Sequence, residues 1–398
     1  MAMQKQMARR KSSGKAAVSG WPDVSRKIPP SVRTLLSVRA GGRCEFDGHN
    51  VYLFEHPLTL RAGFFGQAAH IIAFSPTGPR ATRPKALTIH DVENLMLLCP
   101  VCHKLVDDNP HIYTEPVLRK YKINHEDRVR HLTGLGPDRS TAVLVVRAPI
   151  AGQLTTVPFS VVVDATSPRY PVDRVPLEID LTHLDDRDPS FLAAACEALS
   201  RRLETLLQPS GVIDRTGHLS VFAMGPIPLL IHLGSRLSNK VPTDIYQRHR
   251  GSEAWTWKSR GKPAEYRFRK VQSGEQGVAL LLSLSGTIPV VSIPESVRAK
   301  GTIYELTLKS PPPSPTFLRT RRDLEAFRVA YQQALAEIVR DHGLLDSIDL
   351  FPAVPAPVAV LVGRELLPKV HPRLSVYDHD KSKSGFIKTI EVNHHGNQ

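Results

Sequence analysis

The turn "LCPVCH", residues 98–103, sets Cys99 and Cys102 at C-x2-C spacing, the arrangement with which two thiolates fill half of a tetrahedral zinc site. The remaining ligands must come from a distant segment. The knuckle "GGRCEFDGHN" offers them, with Cys44 followed by Asp47 and His49. A zinc held by Cys44, His49, Cys99 and Cys102 would staple these two stretches into one small unit, whose core alone would be thin. Asp47 competes with His49 for the fourth position. Buried, free thiols are the plain alternative. If zinc is bound, any fold that keeps the two knuckles apart is ruled out.

The same turn carries a second set of donors. His103 sits beside Cys102, and adjacent side chains diverge, so it does not easily share their zinc. If a helix starts at the turn, His103 and Asp107 stand at i and i+4 on one face. That pair suits a hard, catalytic divalent ion rather than a structural zinc. Upstream, "AHIIAFSPTGPRATRP" (69–84) sets His70 in a short apolar strand, with Arg80 and Arg83 among three prolines behind it. Taken alone, His70 reads first as a hydrogen-bonded core histidine, with a base in hydrolysis as the alternative.

Charge and cysteine usage narrow the setting. The formal charge is +14, and residues 1–140 hold 21 Lys and Arg against 12 Asp and Glu. The front third is therefore the part expected to meet a phosphate backbone. Four cysteines in 398 residues make no disulfide framework. One of them, Cys196, lies alone in an apolar helix, where burial is expected. A reducing compartment, the cytoplasm, follows as the expectation. No apolar run reaches the roughly 18–20 residues of a membrane span, and the basic opening lacks the apolar core of a secretory signal.

Four stretches emerge: a basic tail over 1–28, a compact unit over 29–135, a linker over 136–142 that overlaps the end of "LTGLGPDRS" (132–140), and an α/β unit over 143–398. The last contains a repeat. "LSVFAMGPIPLLIHLGSRL" (219–237) aligns without gaps on "IDLFPAVPAPVAVLVGREL" (348–366), matching Phe222 with Phe351, Pro226 with Pro355, Pro228 with Pro357, Gly234 with Gly363 and Leu237 with Leu366. Each copy reads as strand, proline turn and helix, preceded by a helix and followed by a strand-like run, "EAWTWKS" or "LSVYD". The expected product is two facing Rossmann-like lobes. Their ligand would sit beyond the carboxyl ends of the strands, at "MGPIP" and "AVPAP", in a mildly basic, pseudo-twofold cleft.

The order Cys44, His70, Asn94, "LCPVCH" resembles the HNH endonucleases, whose fold is a zinc-stabilised α+β (ββα-metal) module. The resemblance covers about residues 40–125 and includes the following "IYTEPVLRKYKINHEDRV". It implies that His70 is the general base, that Asn94 orients the segment bearing it, and that His103 ligates the catalytic metal, Mg2+ or a similar divalent ion. Many family members carry a metal ligand directly before the base. Here that position is Ala69, which makes Asp107 the expected replacement and Gln67 a weaker one. Arg80 and Arg83 beside the base are placed to grip DNA phosphates, with a solvated loop as the alternative.

The paired-lobe unit resembles the SAVED domains, two CARF-like lobes fused to effectors in CBASS anti-phage systems. Its residues "EAWTWKS", "VALLLSLSG" and "IDLFPAVPAPVAVLVGRELLPKVHPRLSVYD" carry the likeness. This implies a cyclic di- or trinucleotide as activator, self-association to a tetramer or higher, and degradation of double-stranded DNA. Candidate ligand contacts are Trp255 and Trp257 for stacking, Lys258 and Arg260 for phosphates, Pro355 and Ala356 at the mouth, and Arg364 and Lys369. Two rival readings stay open. One is a restriction-type nuclease that needs no activator. The other is a non-catalytic zinc-knuckle protein that binds DNA.

Overall fold

The run "LMLL" is too short for a core helix and apolar throughout, as a fully buried strand must be. In the computed structural model of the chain it is strand β2 (Leu95–Leu98), all four residues buried. It pairs antiparallel with β1 (Gln67–His70), setting Ala69 against Met96 and His70 against Leu95. The structure describes residues 27–81, 89–153, 155–237, 239, 241–380 and 385–393. They fall into one unit ending at Leu135 and another beginning at Gly136.

In the first unit three helices surround the β1–β2 ribbon: α1 (Pro30–Arg39), α2 (Pro100–Asp108) and α3 (Glu115–Thr133). Each has a proline in its first turn, where the missing N–H costs nothing. Leu36, Ile71, Val106 and Leu118 close the core over β2. Burying Lys122 of α3 requires partners. Its ammonium lies 2.5 Å from Glu126 and 3.8 Å from Glu45, and Arg39 reaches Glu126 at 2.6 Å.

The second unit holds two sheets. The first is parallel, with β4 (Tyr170–Pro171) and β5 (Leu177–Asp180) both on one side of β3 (Ser140–Arg147), then β6 (Leu219–Met224) and β7 (Thr243–Ile245). The second runs β13 (Gly385–Val392), β12 (Arg373–Asp380), β11 (Ser347–Ala353), β9 (Val278–Ser283), β10 (Thr302–Ser310), β8 (Glu265–Gln272). Its four inner strands are parallel and its two edges antiparallel. The helices are α4 (Phe159–Thr166), α5 (Phe191–Leu206), α6 (Val212–Thr216), α7 (Ile227–Leu237), α8 (Glu295–Arg298), α9 (Arg321–His342) and α10 (Ala356–Arg364).

The repeat is visible in three dimensions. Strand β6 leads through a proline turn into α7, as β11 leads into α10. Phe222 stacks on Tyr246 and Phe351 on Tyr377, each pair with ring centres 4.4 Å apart. Helices α7 and α10 pack on one another, and a continuous core joins both sheets through Val221, Leu280 and Leu350. One expectation is corrected. "EAWTWKS" forms no strand, and β7 takes the place that "LSVYD" holds within β12. Trp255 is instead buried in a loop against Phe222.

Candidate functional site

Cys99 caps α2, its sulfur accepting the Cys102 N–H at 3.3 Å, while the Cys99 N–H reaches the Cys44 sulfur at 3.4 Å. His49 Nδ1 lies 3.3 Å from Cys102 Sγ and 3.7 Å from Cys99 Sγ. All four donor atoms fall within 4.8 Å of one another. A tetrahedral zinc with bonds of ~2.0–2.3 Å holds its ligands roughly 3.3–3.8 Å apart, so the set fits a structural zinc. Burial pushes the Cys44 and Cys102 thiols up, and a bound cation is what would make them thiolates. Asp47 is exposed and lies outside this cluster.

His70 ends β1, half-buried. Burial, with His90 and His103 nearby, pushes its pKa down to about 4, so its imidazole is neutral at physiological pH. The buried Asn94 amide accepts the Ile72 N–H at 2.9 Å, and its NH2 donates to Ile72 O at 3.2 Å and Ile89 O at 3.1 Å. It thereby ties the segment following His70 to the one entering His90. Sequence reasoning passed over His90. Its Nδ1 lies 3.3 Å from His70 Nε2, and its ring stacks on Phe74.

One turn into α2, His103 and Asp107 share a face. Gln67 Oε1 lies 2.6 Å from His103 Nδ1. An amide oxygen accepts, so Nδ1 carries a proton, and in the neutral ring Nε2 then presents a lone pair. That lone pair faces Asp107 Oδ2 at 3.3 Å. Two ligands on a cation at ~2.1 Å and right angles stand roughly 3.0 Å apart. The pair therefore fits a divalent ion, with Gln67 fixing the imidazole from behind. Ala69 is buried in the core and contributes packing.

Arg80 is not free to grip a phosphate. Its guanidinium donates to Ile71 O at 2.8 Å, Val106 O at 2.7 Å and Asp107 Oδ1 at 2.8 Å, and its side chain is 5% exposed. The left-handed backbone at this residue (φ 58°) turns it inward. It holds Asp107 by Oδ1 and leaves Oδ2 facing His103 Nε2. Arg83 lies outside the described residues.

In the second unit a cleft of about 1190 Å3 opens where β6, β9 and β11 end, with Met224, Ser285, Pro355 and Ala356 on its wall. Its charge is mixed rather than mildly basic: Arg248 and Arg250 face Asp186, Asp188, Asp378 and Asp380. Gln247 and His249 also line it, and Gln247 Oε1 and His249 Nε2 are buried without a hydrogen-bond partner among the described residues.

The other candidate ligand residues lie elsewhere. Trp255 is 2% exposed and packed on Phe222, so it has no face for a base. Trp257, Lys258 and Arg260 line a separate hollow with Arg321 and Arg322. Arg364 is spent on Val241 O at 2.6 Å, and Lys369 is exposed in the turn after α10. These side chains sat near the expected strand ends in sequence, but their directions are set by packing. Among the described residues no helix is long and apolar enough to cross a membrane.

Residues 44–109 match the family model described as HNH endonuclease. Residues 200–392 match that of the SAVED domain, described as SMODS-associated and fused to various effectors sensor domain. The chain is thus an HNH endonuclease domain joined to a SAVED sensor domain. It is similar to the Acinetobacter baumannii Cap4 SAVED/CARF-domain containing receptor with the cyclic trinucleotide 2'3'3'-cAAA (15% identity, 76% of this chain and 64% of that one, TM-score 0.42). It is also similar to the Moraxella osloensis Cap4 receptor (13% identity, 73% and 60%, TM-score 0.36). The chain thus spans slightly under two thirds of those receptors. No curated protein matches it.

Proposed function

We propose that the chain is a metal-dependent endonuclease that cuts double-stranded DNA once a cyclic oligonucleotide fills the cleft of its sensor unit, as a CBASS effector. The observation that carries the activator is the cleft itself. Its volume exceeds the ~300–1,000 Å3 of ordinary small-molecule pockets. It sits between two pseudo-equivalent strand–turn–helix units, as a nearly symmetric ligand requires. Its unpartnered Gln247 Oε1 and His249 Nε2 are polar atoms awaiting a partner, and its carboxylates can accept from base amino groups.

In the HNH domain, His70 takes a proton from the attacking water, and Asn94 holds its segment in place. His103 Nε2 and Asp107 Oδ2 would hold the divalent ion, which when bound neutralises charge on the scissile phosphate and the leaving 3′ oxygen. Self-association on ligand binding, to a tetramer or higher, brings several such domains onto one duplex. Without the ligand the enzyme rests, which protects the host's own DNA.

The test is plasmid degradation by the full chain in Mg2+, with and without a panel of cyclic di- and trinucleotides. Cleavage with only one or two of them is expected. Cleavage with none added removes the sensor from the reading. DNA binding without cleavage in Mg2+, Mn2+ or Ni2+ under every ligand removes the nuclease.

A further inference from the structure

His70 uses Nε2 against a second imidazole, His90 Nδ1, at 3.3 Å. Two facing ring nitrogens at this distance share one proton, so one donates and the other accepts. If His90 donated, its proton would cap the lone pair of His70 Nε2. If His70 donates, its proton sits on Nε2 and the lone pair is on Nδ1, for which the structure gives no hydrogen-bond partner among the described residues. Only the second arrangement leaves His70 a lone pair able to take a proton from water.

We infer that His90 is a positioning residue for the reaction: its Nδ1 accepts the His70 Nε2–H and thereby fixes the tautomer in which His70 Nδ1 is the base. The inference rests on the nuclease reading for its purpose and on the geometry for its substance.

Three features hold His90 to this task. Its ring lies nearly parallel to Phe74, 17° between planes with centres 5.6 Å apart, and Phe74 also touches His70 at 5.9 Å. The preceding residue, Ile89, is buried, and its carbonyl accepts from Asn94 Nδ2 at 3.1 Å. The following residue, Asp91, caps a 3-10 turn by accepting the Glu93 N–H at 3.3 Å. Since Asn94 also binds both backbone groups of Ile72, one amide sets the spacing of the two imidazoles. The orienting partner of the base is thus a side chain, open to substitution in a way that a backbone carbonyl is not.

The test follows histidine ring 15N shifts in the full chain alongside plasmid cleavage with each of a panel of cyclic di- and trinucleotides. His70, assigned by loss of its signals in His70→Gln, is expected to show a protonated Nε2 and a bare Nδ1. His90→Asn keeps an acceptor near the place of Nδ1 and preserves both the tautomer and most of the activity. His90→Phe keeps the stack on Phe74 without the acceptor. It gives a mixture of His70 tautomers and lowers kcat on the order of tenfold to a hundredfold, with KM for DNA unchanged. Zinc content and melting establish that each variant folds. A wild-type His70 protonated on Nδ1, or an unchanged tautomer in His90→Phe, overturns the inference. A wild type inactive under every ligand counts against the nuclease reading alone, because the tautomer readout still decides on His90.

Discussion

Gly234 and Gly363 meet where α7 crosses α10, and the contact is reciprocal. A Cβ on Gly234 would overlap the carbonyl of Val360, and one on Gly363 the carbonyl of Ile231. Ile231 and Val360 are themselves equivalent in the repeat, so each lobe offers the other the same small residue and the same backbone group. The two lobes are joined through a pseudo-twofold seam that only glycine permits.

Replacing glycine by alanine inside a helix ordinarily stabilises it by ~0.5–1 kcal/mol. At this crossing the sign reverses. Gly234→Ala and Gly363→Ala should each lower stability by roughly 1–3 kcal/mol or more, read as an earlier urea midpoint at unchanged slope. A gain in stability would show that the helices can part without cost.

The zinc site carries a separate prediction. Cys99→Ser should lose bound zinc by elemental analysis and lower the melting temperature of the HNH domain, because ligand binding and folding share one free energy. Cys196 serves as the control. It is half-buried on α5, its thiol pushed up to about 12 by burial, and Cys196→Ser should leave zinc content unchanged.

Arg80 and Asp107 separate two roles that look alike in sequence. Asp107→Asn should raise the Mg2+ concentration for half-maximal cleavage by about tenfold or more with little loss of DNA affinity. Arg80→Ala should destabilise the HNH domain, leaving two backbone carbonyls without their donor at ~1–3 kcal/mol each. Arg80→Lys should not restore it, since an ammonium cannot span three acceptors. Unchanged melting with weakened DNA binding would return Arg80 to the phosphate backbone.

In the sensor domain, buried His218 donates to or accepts from Thr141 Oγ1 at 2.9 Å, and burial, aided by Arg169, pushes its pKa down to about 4. The folded state keeps it neutral while the unfolded chain protonates near pH ~6.5. Its contribution is therefore complete above pH ~6.5 and is lost as pH falls towards 4. Melting temperature should drop across that window, and His218→Gln should flatten the drop. An equal pH dependence in the variant would assign the effect to other groups.

The zinc knuckles, the i, i+4 pair on α2 and the strand–turn–helix repeat were legible in the sequence because each is a matter of spacing. Coordination number fixes how thiolates must gather, helical pitch fixes which side chains share a face, and a repeated order of apolar and proline positions marks a repeated element. Tertiary structure decided the rest. It turned Arg80 inward from a left-handed backbone onto Asp107, sank Trp255 against Phe222, and put five carboxylates, Glu253 included, in a cleft read as mildly basic. It also set His90 beside His70 across twenty residues. Spacing along a chain constrains what lies one turn or one strand away. The direction of a side chain, and the distant partner it meets, are settled only when segments pack and each buried polar group has to find its hydrogen bond.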